Sequence, residues 1–151
     1  MDLGYMRRTL LFVTLLVASC EDEGQVQQPP GSTLAFDNAW VRPLVAGGSV
    51  TAAYCDIRNQ GREAVRISGF SSDDPDVRVE LHESSEEGGI VRMRPLENLT
   101  IPAGETVSLA PGGKHLMLFG FDDSPEVMLY AALEDGLRLP VVFTARDKVE
   151  R

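Results

Sequence analysis

Between Leu34 and Ala145 hydrophobic and polar residues alternate with a period of two over most of the chain. Val77, Val79 and Leu81 share one parity, while Arg78, Glu80 and His82 share the other, so one face of this segment enters a core and the other meets water. The same reading predicts strands at Thr51–Ile57, Ala64–Phe70, Val77–His82, Ile90–Arg94, Thr106–Leu109, Lys114–Phe121, Val127–Leu133 and Leu137–Ala145. Within Lys114–Phe121, Leu116 and Leu118 take the core side, and His115, Met117 and Phe119 take the outer one. Turn residues at Asn59-Gln60-Gly61, Gly88-Gly89, Pro111-Gly112-Gly113 and Glu134-Asp135-Gly136 separate the strands. No stretch carries three turns of helical periodicity. Seven or eight short strands in roughly 110 residues predict an all-β, Greek-key sandwich or barrel.

The N-terminus follows a different pattern. Arg7 and Arg8 precede a ten-residue apolar run, Thr9 to Ala18. A membrane-crossing helix needs about 20 residues, so the run suits a secretory signal peptide instead. It ends Leu16-Val17-Ala18-Ser19-Cys20, small residues directly before a cysteine, which resembles the lipobox of bacterial lipoproteins. That resemblance implies cleavage before Cys20 and a lipid on its thiol. Residues 1–20 are then a lipoprotein signal peptide, with translation starting at Met1 or at Met6, since Asp2 is out of place in a basic leader. Residues 21–33 lack any apolar period and form a flexible tether. Residues 34–145 form the domain and residues 146–151 a charged tail. The expected location is the periplasmic side of a bacterial membrane, reached through the N-terminal lipid.

Composition narrows the function. At 151 residues, 43% hydrophobic and 25% charged, the chain has the balance of one globular domain, neither disordered nor polytopic. Fourteen Lys and Arg against 23 Asp and Glu give a net charge of −9, a surface that repels phosphate and excludes a nucleic-acid partner.

The candidate chemistry lies in two histidines and two methionines. His82, Met93, His115 and Met117 are spaced His-x10-Met-x21-His-x-Met, and these are the only two histidines of the chain. Imidazole serves several borderline metals, whereas thioether sulfur is a soft neutral donor, so the set favours Cu(I) over Zn(II) and hard cations. His115 and Met117, two apart on one strand, share a face. Folding the hairpin about Glu87-Gly88 places His82 opposite Met93, about 5 Å between Cβ atoms. That register also sets Arg94 against the inward Leu81, which a bulge at Gly88-Gly89 would repair. Taken singly, a His or Met on a strand reads as core or surface filler; the co-occurrence of both histidines with a methionine each in one spacing pattern is what singles out these four. Cys55 reads as a buried free thiol, because Cys20 is claimed by lipid. Trp40 reads as a core or sheet-edge aromatic, Met128 as packing, and Asp73-Asp74-Pro75-Asp76 as a solvated turn.

With that spacing the chain resembles the periplasmic copper chaperone family written PCuA(C). The family signature of a His, an optional adjacent Met, ten residues, a Met, 21 residues and His-x-Met is met at His82, Met93, His115 and Met117, departing only at the optional position, which is Glu83. Val79 to Glu83, Arg92 to Pro95, Pro111 to Leu118, Asn38 to Arg42 and Ala52 to Tyr54 are also family-like, so the resemblance covers nearly the whole domain. It implies a cupredoxin-like sandwich holding Cu(I) at a shallow surface site through those four residues. It also implies delivery of copper for cytochrome c oxidase assembly, with Sco-type proteins and the oxidase copper A domain as acceptors. A His/Met-rich C-terminal extension found in some members is not matched here, so no second copper site is expected.

The expected protein is thus a monomeric, lipid-anchored Cu(I) carrier and not an enzyme. Its rivals are a copper storage or detoxification lipoprotein, a blue-copper electron carrier, and a metal-free structural lipoprotein. The blue-copper reading needs a thiolate beside the histidines, and Cys55 lies upstream of the whole motif.

Overall fold

A computed structural model describes residues 32–146. The expected signal peptide, Cys20, most of the expected tether and the residues after Arg146 lie outside the described residues. Ten strands follow in chain order: β1 (Leu34–Val41), β2 (Val50–Asn59), β3 (Val65–Ser72), β4 (Arg78–Glu87), β5 (Ile90–Pro95), β6 (Leu99–Ile101), β7 (Thr106–Leu109), β8 (Lys114–Phe119), β9 (Glu126–Leu133) and β10 (Arg138–Ala145). The all-β expectation holds, but with ten strands rather than seven or eight. The two additions are β1 and the three-residue β6.

One hydrogen-bonded ladder runs β5-β4-β8-β2-β1-β10-β9-β3-β6, with β7 paired to β2 beside it. Pairing is antiparallel except between β1 and β10, where Trp40 lies beside Thr144 and Val41 beside Ala145. The ladder doubles over itself, so β3 packs against β4 without pairing to it. Two layers of one continuous sheet therefore enclose the core. Ile57, Ile67, Ile101, Leu116, Leu118, Leu129, Leu139 and Phe143 are fully enclosed in it. Burial of each such side chain is worth about 1.5–3 kcal/mol.

Local chemistry fixes the strand ends. Asn59 is fully buried and fully satisfied: its Nδ2 donates to the carbonyls of Glu63 (2.7 Å) and Ile101 (3.0 Å), and its Oδ1 accepts from the Gly61 amide (2.9 Å). Gly120 follows β8 at φ +82°, and a Cβ there would collide with the Asp76 carbonyl, so only glycine lets this turn pass so close to the segment entering β4.

The β4–β5 hairpin corrects the expected register. Glu87 pairs with Ile90 across Gly88 and Gly89, whose φ values of 61° and 80° make a two-residue turn with both central residues left-handed. The turn is centred between the two glycines rather than between Glu87 and Gly88. Met93 consequently faces Ser84, and His82 faces Pro95. No bulge is required, because the amide of Leu96, rather than Arg94, meets the Leu81 carbonyl, at 2.8 Å.

Candidate metal centre

The four candidate residues lie on β4, β5 and β8, on the sheet face turned away from the core. Alternation places them there: Leu81, Leu116, Leu118 and Ala53 are buried in the core, and their neighbours His82, His115, Met117 and Ala52 project from the other side. The β4–β8 ladder brings the residues together in rungs. His82 is directly opposite His115, and Glu80 is directly opposite Met117. Met117 also pairs with Ala52 on β2, whose small side chain leaves space over the strand. Met93 enters from β5, the edge strand, beside Ser84.

A surface hollow of about 390 Å³ opens here. Met93, His115 and Met117 line it with Ala52, Tyr54 and Ser84. His82 adjoins it from the β4 side, its ring centroid 6.0 Å from that of His115. The structure thus gathers all four candidates in one neighbourhood, with three of them on the hollow's wall.

His115 departs from expectation in one respect. It lies on the outer face yet is only 5% exposed. Tyr54 packs beside it, with centroids 6.4 Å apart, and Trp40 packs on Tyr54 at 4.5 Å. Trp40, Tyr54, His115 and His82 form a row of rings across β1, β2, β8 and β4. Burial raises the Tyr54 phenol above its ordinary range, against an opposing pull from the nearby Arg42 guanidinium.

Each imidazole has one nitrogen engaged. Nδ1 of His115 lies 3.0 Å from the Gly113 carbonyl oxygen. A carbonyl only accepts, so in the neutral ring Nδ1 carries the proton and Nε2 the lone pair. Nε2 of His82 lies 2.9 Å from a Glu80 carboxylate oxygen, while its Nδ1 is enclosed and has no hydrogen-bond partner. Glu80 is the functional neighbour that the sequence reading passed over as merely outward-facing. Its signal was available, because a carboxylate two residues before a histidine on one strand shares that histidine's face.

The donor set is chemically narrow. Among the described residues no three His, Cys, Asp or Glu side chains converge as a metal cluster. Two imidazoles and two thioethers make a soft, uncharged set of the type Cu(I) accepts and zinc does not favour. Cys55 contributes nothing to it. The thiol is free and buried on the core side of β2, and desolvation, with Asp56 second, pushes its pKa far above the usual thiol range.

The rim is apolar. Val45, Val50, Val91 and Met93 line the hollow and are four of the seven exposed large hydrophobics among the described residues, so the domain's apolar surface is concentrated here. No carboxylate lines the hollow among the described residues, and Arg42 is its charged member.

The model of the family described as "Putative lipoprotein LpqE-like" matches residues 34–150. A curated relative from Leifsonia xyli subsp. xyli (strain CTCB07), "Putative lipoprotein Lxx21020", is 31% identical over 128 residues, which are 80% of this chain and 75% of that one. Among solved structures, the "Copper-bound PCuAC domain from PmoF2" is similar with a TM-score of 0.63 at 16% identity, covering 81% of this chain and 99% of that domain. The solution structure of apo-DR1885 from Deinococcus radiodurans has a TM-score of 0.60 at 23% identity and covers 99% of each chain. These likenesses establish the fold as that of PCuAC domains, a cupredoxin-like sandwich.

Proposed function

Because this chain belongs to the LpqE-like family, we propose that it is a lipid-anchored, extracytoplasmic copper carrier, binding Cu(I) through His82, Met93, His115 and Met117. The observation that carries the reading is the gathering of two imidazoles and two thioethers on the outer face of β4, β5 and β8, with Met93, His115 and Met117 lining one open hollow and His82 beside His115. The match in fold to a copper-bound domain supports it. So does the relative described as a lipoprotein, which agrees with a lipid on Cys20.

Copper is the cargo in this reading. Four neutral donors leave the bound ion with its own positive charge, and nothing needs to be deprotonated to hold it. Met93 on the half-exposed edge strand is the ligand an incoming thiolate displaces first, since it is 51% exposed and pairs only with β4. Exchange of an uncharged thioether for an anionic thiolate is downhill for Cu(I). The apolar rim then seats the acceptor protein around the exchange point. Delivery to a Sco-type protein or to the copper A domain of cytochrome c oxidase is the destination we infer, with the protein acting as a monomer and without catalysis.

The test is transfer. The Cu(I)-loaded protein is mixed with each reduced apo acceptor, and metal is assayed after separation. Copper in the acceptor supports delivery. Full retention by this protein points to storage or detoxification instead, and failure of the protein to load at all points to a metal-free structural role.

A further inference from the structure

Three residues of β4 lie in line on the outer face, each beside a rung partner on β8: Arg78 with Phe119, Glu80 with Met117, and His82 with His115. Their side chains are linked. The Arg78 guanidinium stacks over the Phe119 ring, 4.0 Å from its centroid, and makes an ion pair with Glu80. Glu80 uses its other carboxylate oxygen to hold Nε2 of His82 at 2.9 Å. The far nitrogen of that ring, Nδ1, is enclosed with no partner. Leaving such an atom unpaired is costly, and a buried polar atom without a partner calls for an explanation.

We infer that Glu80 is a positioning residue: it fixes His82 as the Nε2–H tautomer, so that copper is bound by Nδ1 of His82 and by Nε2 of His115. A carboxylate can only accept, so in the neutral ring that binds a metal the proton sits on Nε2 and the lone pair on Nδ1. His115 is fixed in the opposite sense by the Gly113 carbonyl. The unpaired Nδ1 is therefore a donor reserved for a ligand. Glu80 fixes the orientation of the His82 ring, as outer-shell carboxylates do for metal-bound histidines, and Arg78 holds the other carboxylate oxygen. This inference rests on the copper reading above for the identity of the ligand.

The experiment is long-range ¹H–¹⁵N NMR of the histidine side chains in the full chain, apo and Cu(I)-loaded, with Cu(I) affinity measured by chelator competition in the wild type, Glu80→Gln and Glu80→Leu. In the apo wild type His82 shows a slowly exchanging Nε2–H and His115 an Nδ1–H. Copper then shifts Nδ1 of His82 and Nε2 of His115. Glu80→Gln, whose amide oxygen accepts the same bond, keeps that pattern with affinity within about threefold. Glu80→Leu loses slow exchange at His82 and loses roughly 10–100-fold in affinity. A copper shift at Nε2 of His82 overturns the assignment, as does an unchanged affinity in Glu80→Leu. Should Glu80→Leu fail to fold, the wild-type spectra and Glu80→Gln decide the matter alone. A wild type that retains no Cu(I) overturns the copper reading and the donor assignment with it. Copper bound through the other nitrogen overturns the assignment only.

Discussion

His82 and His115 face each other across the β4–β8 ladder with ring centroids 6.0 Å apart, but they present different nitrogens. The Glu80 carboxylate occupies Nε2 of His82, and the Gly113 carbonyl occupies Nδ1 of His115. Each ring is thereby held by a neighbour two residues away on its own chain segment, and each keeps one lone pair. Two adjacent strands thus supply two oriented imidazoles from the sheet face opposite the core residues Leu81 and Leu116.

That separation yields the first prediction. Met93→Leu and Met117→Leu keep volume and hydrophobicity but remove sulfur. Each is expected to weaken Cu(I) binding at least tenfold, about 1.4 kcal/mol, and the double variant more. Met93 is half-exposed, so its stability change stays within about 0.5 kcal/mol. Chelator competition and thermal melts on the same samples check both halves.

A second prediction concerns the backbone at the end of β8. Gly120→Ala places a Cβ against the Asp76 carbonyl at a φ that side chains avoid. Strain alone costs about 1–3 kcal/mol, and the collision forces the loop before β4 to move as well. Melting temperature is expected to fall by about 4–8 °C per kcal/mol lost. Gly112→Ala shares a positive φ of 82° but meets open space, so it is expected to cost less.

Acid should act through Asp56. Its carboxylate accepts from Ser108 Oγ at 2.6 Å and from Asn38 Nδ2 at 2.8 Å, and these bonds hold its pKa below the ordinary carboxylate range. A lowered folded-state pKa means that the contribution is present above about pH 4 and is lost as pH falls through the folded value. The melting difference between wild type and Asp56→Ala is therefore expected to be largest near neutrality, on the order of a few degrees, and to close below pH 4. Melts across pH 3–7 measure it.

Anchoring is tested at a single atom. Cys20→Ser removes the sulfur that would carry lipid, so the variant is expected to appear in the soluble fraction or as unprocessed precursor. Fractionation of cells expressing the variant gives the answer, and normal maturation with full membrane retention would refute the lipid attachment.

Most strands were legible because one buried face imposes strict alternation, as in Val77 to His82 and Lys114 to Phe119. β1 was not, and the reason is local. Its pairing with β2 shifts register between Asp37 and Trp40, where Asn38 takes a φ of 53°, so alternation breaks in mid-strand. β6 has only three residues, too few for a period to show. The spacing singled out four candidates that the structure brings into one neighbourhood, but their cross-strand pairing was not legible. Moving the turn centre by one residue moves every cross-strand partner by two, and two adjacent glycines allow either turn. The enclosure of His115 under Tyr54 was also hidden, since it depends on the β2–β8 pairing across 60 residues of chain.

The most direct measurement of the central claim is X-ray absorption at the copper edge on the reduced protein loaded with one equivalent of Cu(I). Two sulfur and two nitrogen scatterers are predicted, with the sulfur contribution falling by one in Met93→Leu and again in the double variant with Met117→Leu. A spectrum of nitrogen and oxygen neighbours alone, or one unchanged in both methionine variants, would contradict it.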